Sequence, residues 1–282
     1  MKRLVLPAPA KLNLFLHIVG RRADGYHELQ TVFQFLDHGD RLALARREDG
    51  RIRRAYDLEG VSEESDLVMR AARTLQAAVG TPLGADIHLE KRLPMGGGLG
   101  GGSSDAATVL VGLNRLWGLG WPLARLAELG LTLGADVPVF VHGRAAFAEG
   151  VGERLTPVAP PEPWYLVVCP PVHVDTGAVF ADEGLTRNTP PIKISGLSEW
   201  EGRNDCQAVV VRRHPEVGEA LAWLSRRAGQ ARMTGTGACV FAPFETAAQA
   251  RRVAQELPPR WHGFVARGCN RSPLHRALDE GG

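Results

Sequence analysis

The sequence has few cysteines, few lysines and no long apolar segment, and each shortage excludes a class of protein. Its four cysteines, Cys169, Cys206, Cys239 and Cys269, form no C-x-x-C pair and have no histidines at zinc-ligand spacing. We therefore expect reduced, buried thiols and a cytoplasmic protein. No apolar run approaches the roughly 18 residues of a membrane span, and the apolar part of the N-terminus is shorter than the roughly 7 residues of a signal peptide. These features predict a soluble, unprocessed chain with no membrane partner.

Charge of one sign is also lacking, which argues against a nucleic-acid partner. The 33 basic and 31 acidic residues leave a formal net charge of +2, so no global basic field is expected. The densest basic stretch, RREDGRIRR at 46–54, is interrupted by Glu48 and Asp49 and is interpreted as a solvated hairpin. Only four lysines occur, so Lys11, which lies in an apolar setting, is notable.

The pattern of apolar residues predicts an α+β fold in two domains. KLNLFLHIV alternates as a strand with one buried face, RADGYH follows as a turn, and residues 12–36 form a predicted hairpin, with another strand near 41–45. A helix is expected from Ser62 or Ser65 to Gly80. ADVPVFVHGRAAFAEG at 135–150, WYLVVCPP and ACVFAPF are predicted to be strands, and the predicted helices include LARLAELGLTLG, PEVGEALAWLSR and TAAQARRVAQEL. Proline-rich VAPPEPW marks the expected boundary between an N-terminal domain, 1–152, and a C-terminal domain, 153–282.

The stretch PMGGGLGGGSSDAATVL at 94–110 joins a predicted strand, ADIHLEKRL, to a predicted helix capped by Ser103 or Ser104. Glycines allow close approach to the backbone, and a helix N-terminus offers unpaired amides to an anion such as phosphate. A dinucleotide fold would need an acidic residue about 20 positions later, and a Walker loop would need Lys-Ser or Lys-Thr after the last glycine. Protein kinases would need H-R-D and D-F-G. None of these is present, so another phosphate-binding scheme is indicated.

These residues resemble the second motif of the GHMP small-molecule kinases, P-x-x-x-G-L-G-(S/G)-S-(S/A). PAPAKLNLFLHIVGRRADGYHEL and MTGTGACVF resemble the first and third motifs in the correct order. The resemblance implies a two-domain kinase with its active site in the inter-domain cleft, ATP as phosphoryl donor and Mg²⁺ bound with ATP. No carboxylate cluster identifies the metal ligands, which stay unknown. The residues that the resemblance assigns to ATP are Pro94, Met95, Gly96, Gly97, Gly98, Leu99, Gly100, Gly101, Gly102, Ser103 and Ser104.

The resemblance also assigns catalytic roles to Lys11 and Asp136. Asp136, in GLTLGADVPVF, would be the catalytic base, and Lys11, which is expected to start a strand and emerge at the end of the sheet, would keep it ionised. From the residues alone, a helix cap or turn for Asp136 and a surface lysine for Lys11 stay open.

Taken together with DGYHE, these motifs resemble the branch of the family whose acceptor is a methylerythritol joined to cytidine diphosphate. That branch phosphorylates the 2-hydroxyl in non-mevalonate isoprenoid precursor biosynthesis. The resemblance implies acceptor contacts from residues of the first and third motifs and from one further segment. They are Asn13, Tyr26, His27, Phe180, Gly235 and Thr236.

Three alternatives stay open: a related kinase acting on homoserine, mevalonate or a sugar; a nucleotide-binding regulatory module without catalysis; and an RNA-binding domain. Asp66, where the family commonly has asparagine, leaves the nucleobase preference open. A monomer or weak homodimer is expected.

Overall fold

The computed structural model describes residues 3–194 and 202–280 as a mixed α/β protein. The strands are β1 (Arg3–Arg21), β2 (His27–Arg47), β3 (Ile52–Arg54), β4 (Gly84–Glu90), β5 (Ala146–Glu149), β6 (Arg154–Pro157), β7 (Trp164–Cys169), β8 (Arg232–Met233), β9 (Val240–Phe244) and β10 (His262–Cys269). The helices are α1 (Leu67–Val79), α2 (Gly101–Leu116), α3 (Leu123–Leu131), α4 (Val137–His142), α5 (Thr176–Ala181), α6 (Gln207–Arg213), α7 (Pro215–Ala228), α8 (Ala247–Gln255) and α9 (Pro273–Glu280). Within the described ranges, none of the helices has the length and apolar character needed to cross a bilayer.

The strands form one ten-stranded arrangement within the described residues, ordered β3-β4-β2-β10-β7-β9-β8, with β1 and β5 also pairing with β2 and with β6 following β5. Strand β10 joins the two halves of the chain, because it pairs with β7 over 262–267 and with β2 over 268–269. The α+β prediction is confirmed.

The predicted hairpin is confirmed, but its strands are longer than expected. The region near 41–45 is not a separate strand, because β2 continues without interruption from His27 to Arg47. Shifts of register between Pro9 and Lys11 let the paired strands bend without breaking. Gly39 lies inside this bend, where an added Cβ would be 2.1 Å from the carbonyl oxygen of Ala8. The glycine permits close packing rather than a turn.

The prediction of one buried face for β1 was wrong. Residues 8–16 are all buried, because one face packs beneath helices of the first half and the other packs against β7 and β9 of the second half. Lys11 accordingly lies in the middle of a 19-residue strand, not at its start or at the end of the sheet.

Several local predictions are corrected by the structure. The apolar run from Val137 to His142 is helix α4 rather than a strand, with Pro138 in its first turn and Gly143 ending it in a left-handed conformation. Helix α1 is capped by Asp66, not by Ser62 or Ser65.

Helix α2 and the basic stretch also differ from expectation. Helix α2 begins at Gly101 with Gly100 as N-cap, so neither Ser103 nor Ser104 caps it. The stretch at 46–54 is not a hairpin, since β3 pairs in parallel with β4.

The other predicted elements are confirmed. They are strands β4, β7 and β9, helices α3, α7 and α8, and strand β5 at the end of the stretch 135–150. All four cysteines are buried and free. The division at 152 and 153 stays a prediction.

Candidate active site

A cavity of about 1040 Å³ lies between the two halves of the chain. It is lined by the predicted site residues of all three motifs and by Phe180. They are Lys11, Asn13, Tyr26, His27, Pro94, Met95, Gly96, Gly97, Gly98, Leu99, Gly100, Gly101, Gly102, Ser103, Asp136, Phe180, Gly235 and Thr236. Ser104 is the predicted site residue that the structure does not bring to this lining, because it is fully buried within α2.

The glycine loop, residues 96–102, presents the N-terminus of α2 to the cavity. The first intrahelical amide bond of α2 runs from Ser104 N to Gly100 O, so the amides of Gly101, Gly102 and Ser103 have no partner within the helix. All three residues line the cavity. The positive end of the helix dipole and these amides suit the oxygens of a phosphate chain.

The opposite side of the loop packs against the third motif. At Gly98, whose φ is +74°, an added Cβ would be 2.1 Å from the carbonyl oxygen of Thr234. Amides of Ala238 and Cys239 donate to the carbonyls of Gly96 and Gly97 at 3.3 and 3.1 Å. The second half of the protein therefore packs closely against the backbone of the glycine loop and stabilises its conformation.

Lys11 forms the centre of a polar cluster at the floor of the cavity. Its Nζ lies 3.2 Å from Asp136 Oδ2, and it donates to Asn13 Oδ1 at 2.6 Å and to the carbonyl of Gly98 at 3.1 Å. Lys11 is 3% exposed, whereas the side chain of Asp136 is 31% exposed. The ammonium is thus fixed by three acceptors, and the carboxylate retains access to a ligand.

The start of α4 positions Asp136 for this contact. Asp136 occupies the N-cap position, yet its side chain makes no capping hydrogen bond and turns to Lys11 instead. Lys11 and Asn13 share one face of β1, as expected for residues two apart in a strand. Asn13 Nδ2 donates to Thr31 at 2.9 Å, and Thr234 Oγ1 accepts from Asn13 N at 3.0 Å.

A second charged cluster, formed by Lys91, Asp40 and Asp105, lies behind the glycine loop and was missed from the sequence. Lys91 Nζ donates to Asp40 and, at 2.9 Å, to Asp105 Oδ2. Asp40 Oδ1 also accepts from the amides of Arg92 and Leu93 at 2.6 and 2.8 Å. Burial raises the pKa of Asp105 to about 7, opposed by Lys91 and assisted by Asp40. The sequence feature that could have drawn attention to this cluster is Lys91 in EKRLP, one of only four lysines in the chain.

Three of the predicted acceptor contacts, Tyr26, His27 and Phe180, which the resemblance places around the cytidine, lie at one end of the cavity. Tyr26 is 65% exposed at the hairpin turn, whereas His27 is buried and stacks on Phe180 with ring centroids 5.0 Å apart. Phe180 thus covers one face of the imidazole, and His27 lines the cavity. Arg187, another residue missed from the sequence, donates from Nε to His27 Nε2 at 3.0 Å.

The charge of Asp66 is satisfied within the protein. Its carboxylate accepts from Val68 N at 2.9 Å and from the hydroxyl of Tyr56, and it lies 3.3 Å from Arg54 Nε. Apolar side chains, among them Leu58 and Leu67, line the adjoining part of the cavity. The replacement of the family's usual asparagine therefore adds no unpaired charge there.

Few oxygen donors suited to a magnesium ion face the cavity. No group of three or more His, Cys, Asp or Glu side chains forms a metal cage in the part of the chain that the structure describes. Asp136 and Ser103 nevertheless line the cavity. Mg²⁺ commonly takes one or two protein oxygens and completes its shell with water and phosphate, so this sparse set is compatible with it.

Comparison with known proteins agrees with these motifs. The model of the GHMP kinase N-terminal domain matches residues 66–144, and that of the GHMP kinase C-terminal domain matches residues 192–262. The chain belongs to the GHMP kinase family. A 4-diphosphocytidyl-2-C-methyl-D-erythritol kinase of Pseudomonas aeruginosa is 61% identical over 277 residues, which are 98% of this chain and 98% of the relative. One of Pseudomonas savastanoi is 62% identical over 276 residues, 98% of this chain and 96% of the relative.

Solved structures of GHMP kinases share the fold. A crystal structure of 4-(cytidine 5'-diphospho)-2C-methyl-D-erythritol kinase matches with a TM-score of 0.83 and 36% identity, covering 94% of this chain and 99% of that one. A homoserine kinase from Cytophaga hutchinsonii matches with a TM-score of 0.70 and 16% identity, covering 96% of each chain. The second likeness concerns the fold alone.

Proposed function

We propose that this GHMP kinase transfers the γ-phosphoryl group of ATP to the 2-hydroxyl of 4-diphosphocytidyl-2-C-methyl-D-erythritol, in the non-mevalonate route to isoprenoid precursors. The observation that carries the proposal is the Lys11–Asp136 pair, which shares one cavity with the free amides of α2 and with Tyr26 and His27. Relatives of that name, which match nearly the whole chain, support the choice of acceptor.

The residues of this chain divide the work of phosphoryl transfer. The amides of Gly101, Gly102 and Ser103 hold phosphate oxygens at the N-terminus of α2. Asp136 accepts the proton of the acceptor hydroxyl while that oxygen bonds to phosphorus and the bond to the departing ADP breaks. Lys11, with its Nζ 3.2 Å from Asp136 Oδ2, holds that carboxylate in place and stabilises the negative charge of the transferred group. Ser103, at the N-terminus of α2, would help to hold Mg²⁺, which would supply further charge neutralisation when bound.

The other candidate functions fit the cavity less well. An acceptor such as homoserine, mevalonate or a sugar has no nucleobase and would leave the edge of His27 without a partner. A regulatory module without catalysis has no use for the Lys11–Asp136 pair. An RNA-binding role is disfavoured by the balanced charge, and the expectations of a cytoplasmic location, no membrane partner and a monomer or weak homodimer stay predictions.

An acceptor panel tests the proposed reaction. ADP release would be measured with ATP, Mg²⁺ and, in turn, the cytidylyl compound, homoserine, mevalonate and galactose. We expect turnover with the cytidylyl compound alone. Turnover with another acceptor of the panel, and none with the cytidylyl compound, would exclude this substrate.

Asp136→Asn tests the base. General-base catalysis contributes about 100- to 10,000-fold, so kcat should fall by about that factor while ATP affinity changes less than about threefold. Glu128→Gln, which makes the same carboxylate-to-amide change at an exposed position of α3, is the matched control and should retain full activity. A kcat within about threefold of the parent in Asp136→Asn would remove the base role.

A further inference from the structure

Arg187 connects the two residues at the cytidine end of the cavity. Besides its bond to His27, it donates from Nη2 to the carbonyls of Phe180 and Asp182 at 2.9 and 2.7 Å, and from Nη1 to that of Leu185 at 3.1 Å. The first two carbonyls lie at the C-terminal end of α5, where a cation is favourable. Among the ion pairs of residues 3–194 and 202–280, none involves Arg187. One guanidinium therefore caps the helix that carries Phe180 and also holds His27.

The bond from Arg187 decides where His27 carries its proton. An arginine side chain is always protonated and has no acceptor atom, so His27 Nε2 must accept with its lone pair. A neutral imidazole has one N–H, and with Nε2 unprotonated that hydrogen lies on Nδ1. No side chain among the described residues forms a hydrogen bond with Nδ1, and His27 lines the cavity. The imidazole consequently offers a donor to a bound base.

We propose that Arg187 is a positioning residue that fixes His27 as the Nδ1–H tautomer, and that this donor reads N3 of cytosine and rejects uracil. The inference rests on the proposed function, because it assumes a cytidine-bearing acceptor. Cytosine has a hydrogen-bond acceptor at N3, whereas uracil has an N–H there, which would place two donors face to face. A site built around one hydrogen bond discriminates strongly against a ligand that cannot make it.

The charges around His27 favour the neutral ring. Burial lowers the pKa of His27, and the positive charges of Arg187 and of Arg21, which is paired with His27 across the hairpin, lower it further. Asp24 and Arg22, in the adjoining turn, form an ion pair with each other 2.9 Å apart. The ring contact from α5 is the uncharged Phe180.

Kinetics with cytosine- and uracil-bearing forms of the acceptor test the assignment. We expect the parent enzyme to prefer the cytosine form by about 100-fold or more in kcat/KM. Arg187→Met frees Nε2 to carry the proton, so Nδ1 can present a lone pair to N3. At about pH 8, this variant should raise the KM for the cytosine form about 10- to 100-fold and lower the preference for cytosine over uracil at least tenfold. Its kcat and its KM for ATP should change less than about threefold.

The pH dependence separates this role from a purely structural one. Protonated histidine is a donor at both nitrogens. In Arg187→Met, lowering the pH from about 8 to about 5.5 should therefore restore the donor at Nδ1 and shrink the defect relative to the parent enzyme. The added substitution His27→Ala should abolish this acid rescue. A defect of constant size across the pH range would overturn the proposal.

Arg213→Met is the matched control, because Arg213 also donates to a carbonyl of α5, that of Ala178, at 3.1 Å but does not touch His27. It should keep the base preference and show no acid rescue. Arg187→Lys retains a donor for Nε2 and should preserve the preference even where Arg187→Met folds poorly. A folded Arg187→Met that keeps the parent's preference would refute the assignment.

Nitrogen-detected NMR of the parent protein reports the tautomer of His27 without any turnover. The expected result is a proton on Nδ1 near neutral pH, and a proton on Nε2 would overturn the inference even in an active enzyme. If the cytidylyl compound is not phosphorylated, the proposed function and the reading of cytosine fall together, while the tautomer is still decided by the spectrum.

Discussion

At the scale of single residues, the cluster of Lys91, Asp40 and Asp105 behind the glycine loop makes the stability of the protein depend on pH. With Lys91, Asp40 and Asp105 all ionised, the buried cluster would carry one net negative charge. Asp40 accepts hydrogen bonds at both oxygens, whereas Asp105 Oδ1 has no hydrogen-bond partner in the described chain. The extra proton therefore belongs on Asp105, in agreement with its pKa of about 7.

Asp105→Asn should make the protein more stable at high pH. Because the folded state holds this proton more tightly than the unfolded state, the free energy of unfolding falls as the pH rises from about 4 to about 7 and stays lower above that. The variant removes this loss, so its stability relative to the parent should improve by on the order of 2 kcal/mol between about pH 5 and about pH 8.

Denaturant unfolding at both pH values measures this difference, and the exposed Asp57→Asn controls for the loss of one charge. An Asp105→Asn advantage that does not change with pH would show that Asp105 is already ionised in the folded protein at the lower pH.

The sequence identifies the site residues that belong to motifs and misses those that depend on tertiary contacts. Lys11 and Asp136 could be predicted because each lies in a recognisable stretch, although the burial of Lys11 in mid-strand could not. Lys91 and Asp40 are 51 positions apart, and Arg187 and His27 are 160 apart. The residues next to each of these four positions in the sequence do not indicate that the two members of a pair are in contact.

At the scale of elements, the errors come from short apolar runs and from glycine. The run VPVFV lies within the six-residue helix α4, although its composition favours a strand. Over so few residues, the spacing of apolar side chains cannot distinguish a helix from a strand. The start of α2 was placed at the serines because serine is a good N-cap, but the helix begins inside the glycine loop. Because the helix begins earlier, the amides of glycine residues face the cavity without a capping side chain.

Gly98→Ala tests how tightly the glycine loop packs on the third motif. The substitution combines a left-handed backbone conformation with a Cβ that would meet the Thr234 carbonyl, so it should cost about 2–4 kcal/mol in the free energy of unfolding and weaken ATP binding. Gly118→Ala is the matched control: its φ is +69°, but no atom lies within 4 Å of the added Cβ. It should cost only about 1 kcal/mol.

Denaturant titrations measure the free energy of unfolding of both variants, and calorimetry measures their affinity for ATP. Equal costs for the two variants would mean that the loop can move away from Thr234 without penalty.

At the scale of the whole molecule, the two halves of the chain share strands, core and cavity. Strand β10 pairs with strands of both halves, and Cys269 and Leu274 complete the core that β1, β2 and α2 begin. The sequence predicts a boundary near the proline cluster, because prolines interrupt the regular pattern there. It does not reveal that the last strand and helix return to the first half, since pairing between distant strands leaves no local pattern.

This return predicts that fragment 1–152 does not fold by itself. Without β10 and α9, Phe35 and Leu36 of β2 lose their partners in β10, and the surface that Leu274 covers is exposed, so we expect no cooperative thermal transition by circular dichroism. The intact chain with a protease site inserted at 159–161 is the control. After cleavage there, the halves should stay associated, unfold in one transition and retain kinase activity, because the contacts between them are non-covalent and extensive. A cooperative transition in fragment 1–152 alone would show that the first half is an independent folding unit, and that β10 and α9 only dock on a core already formed.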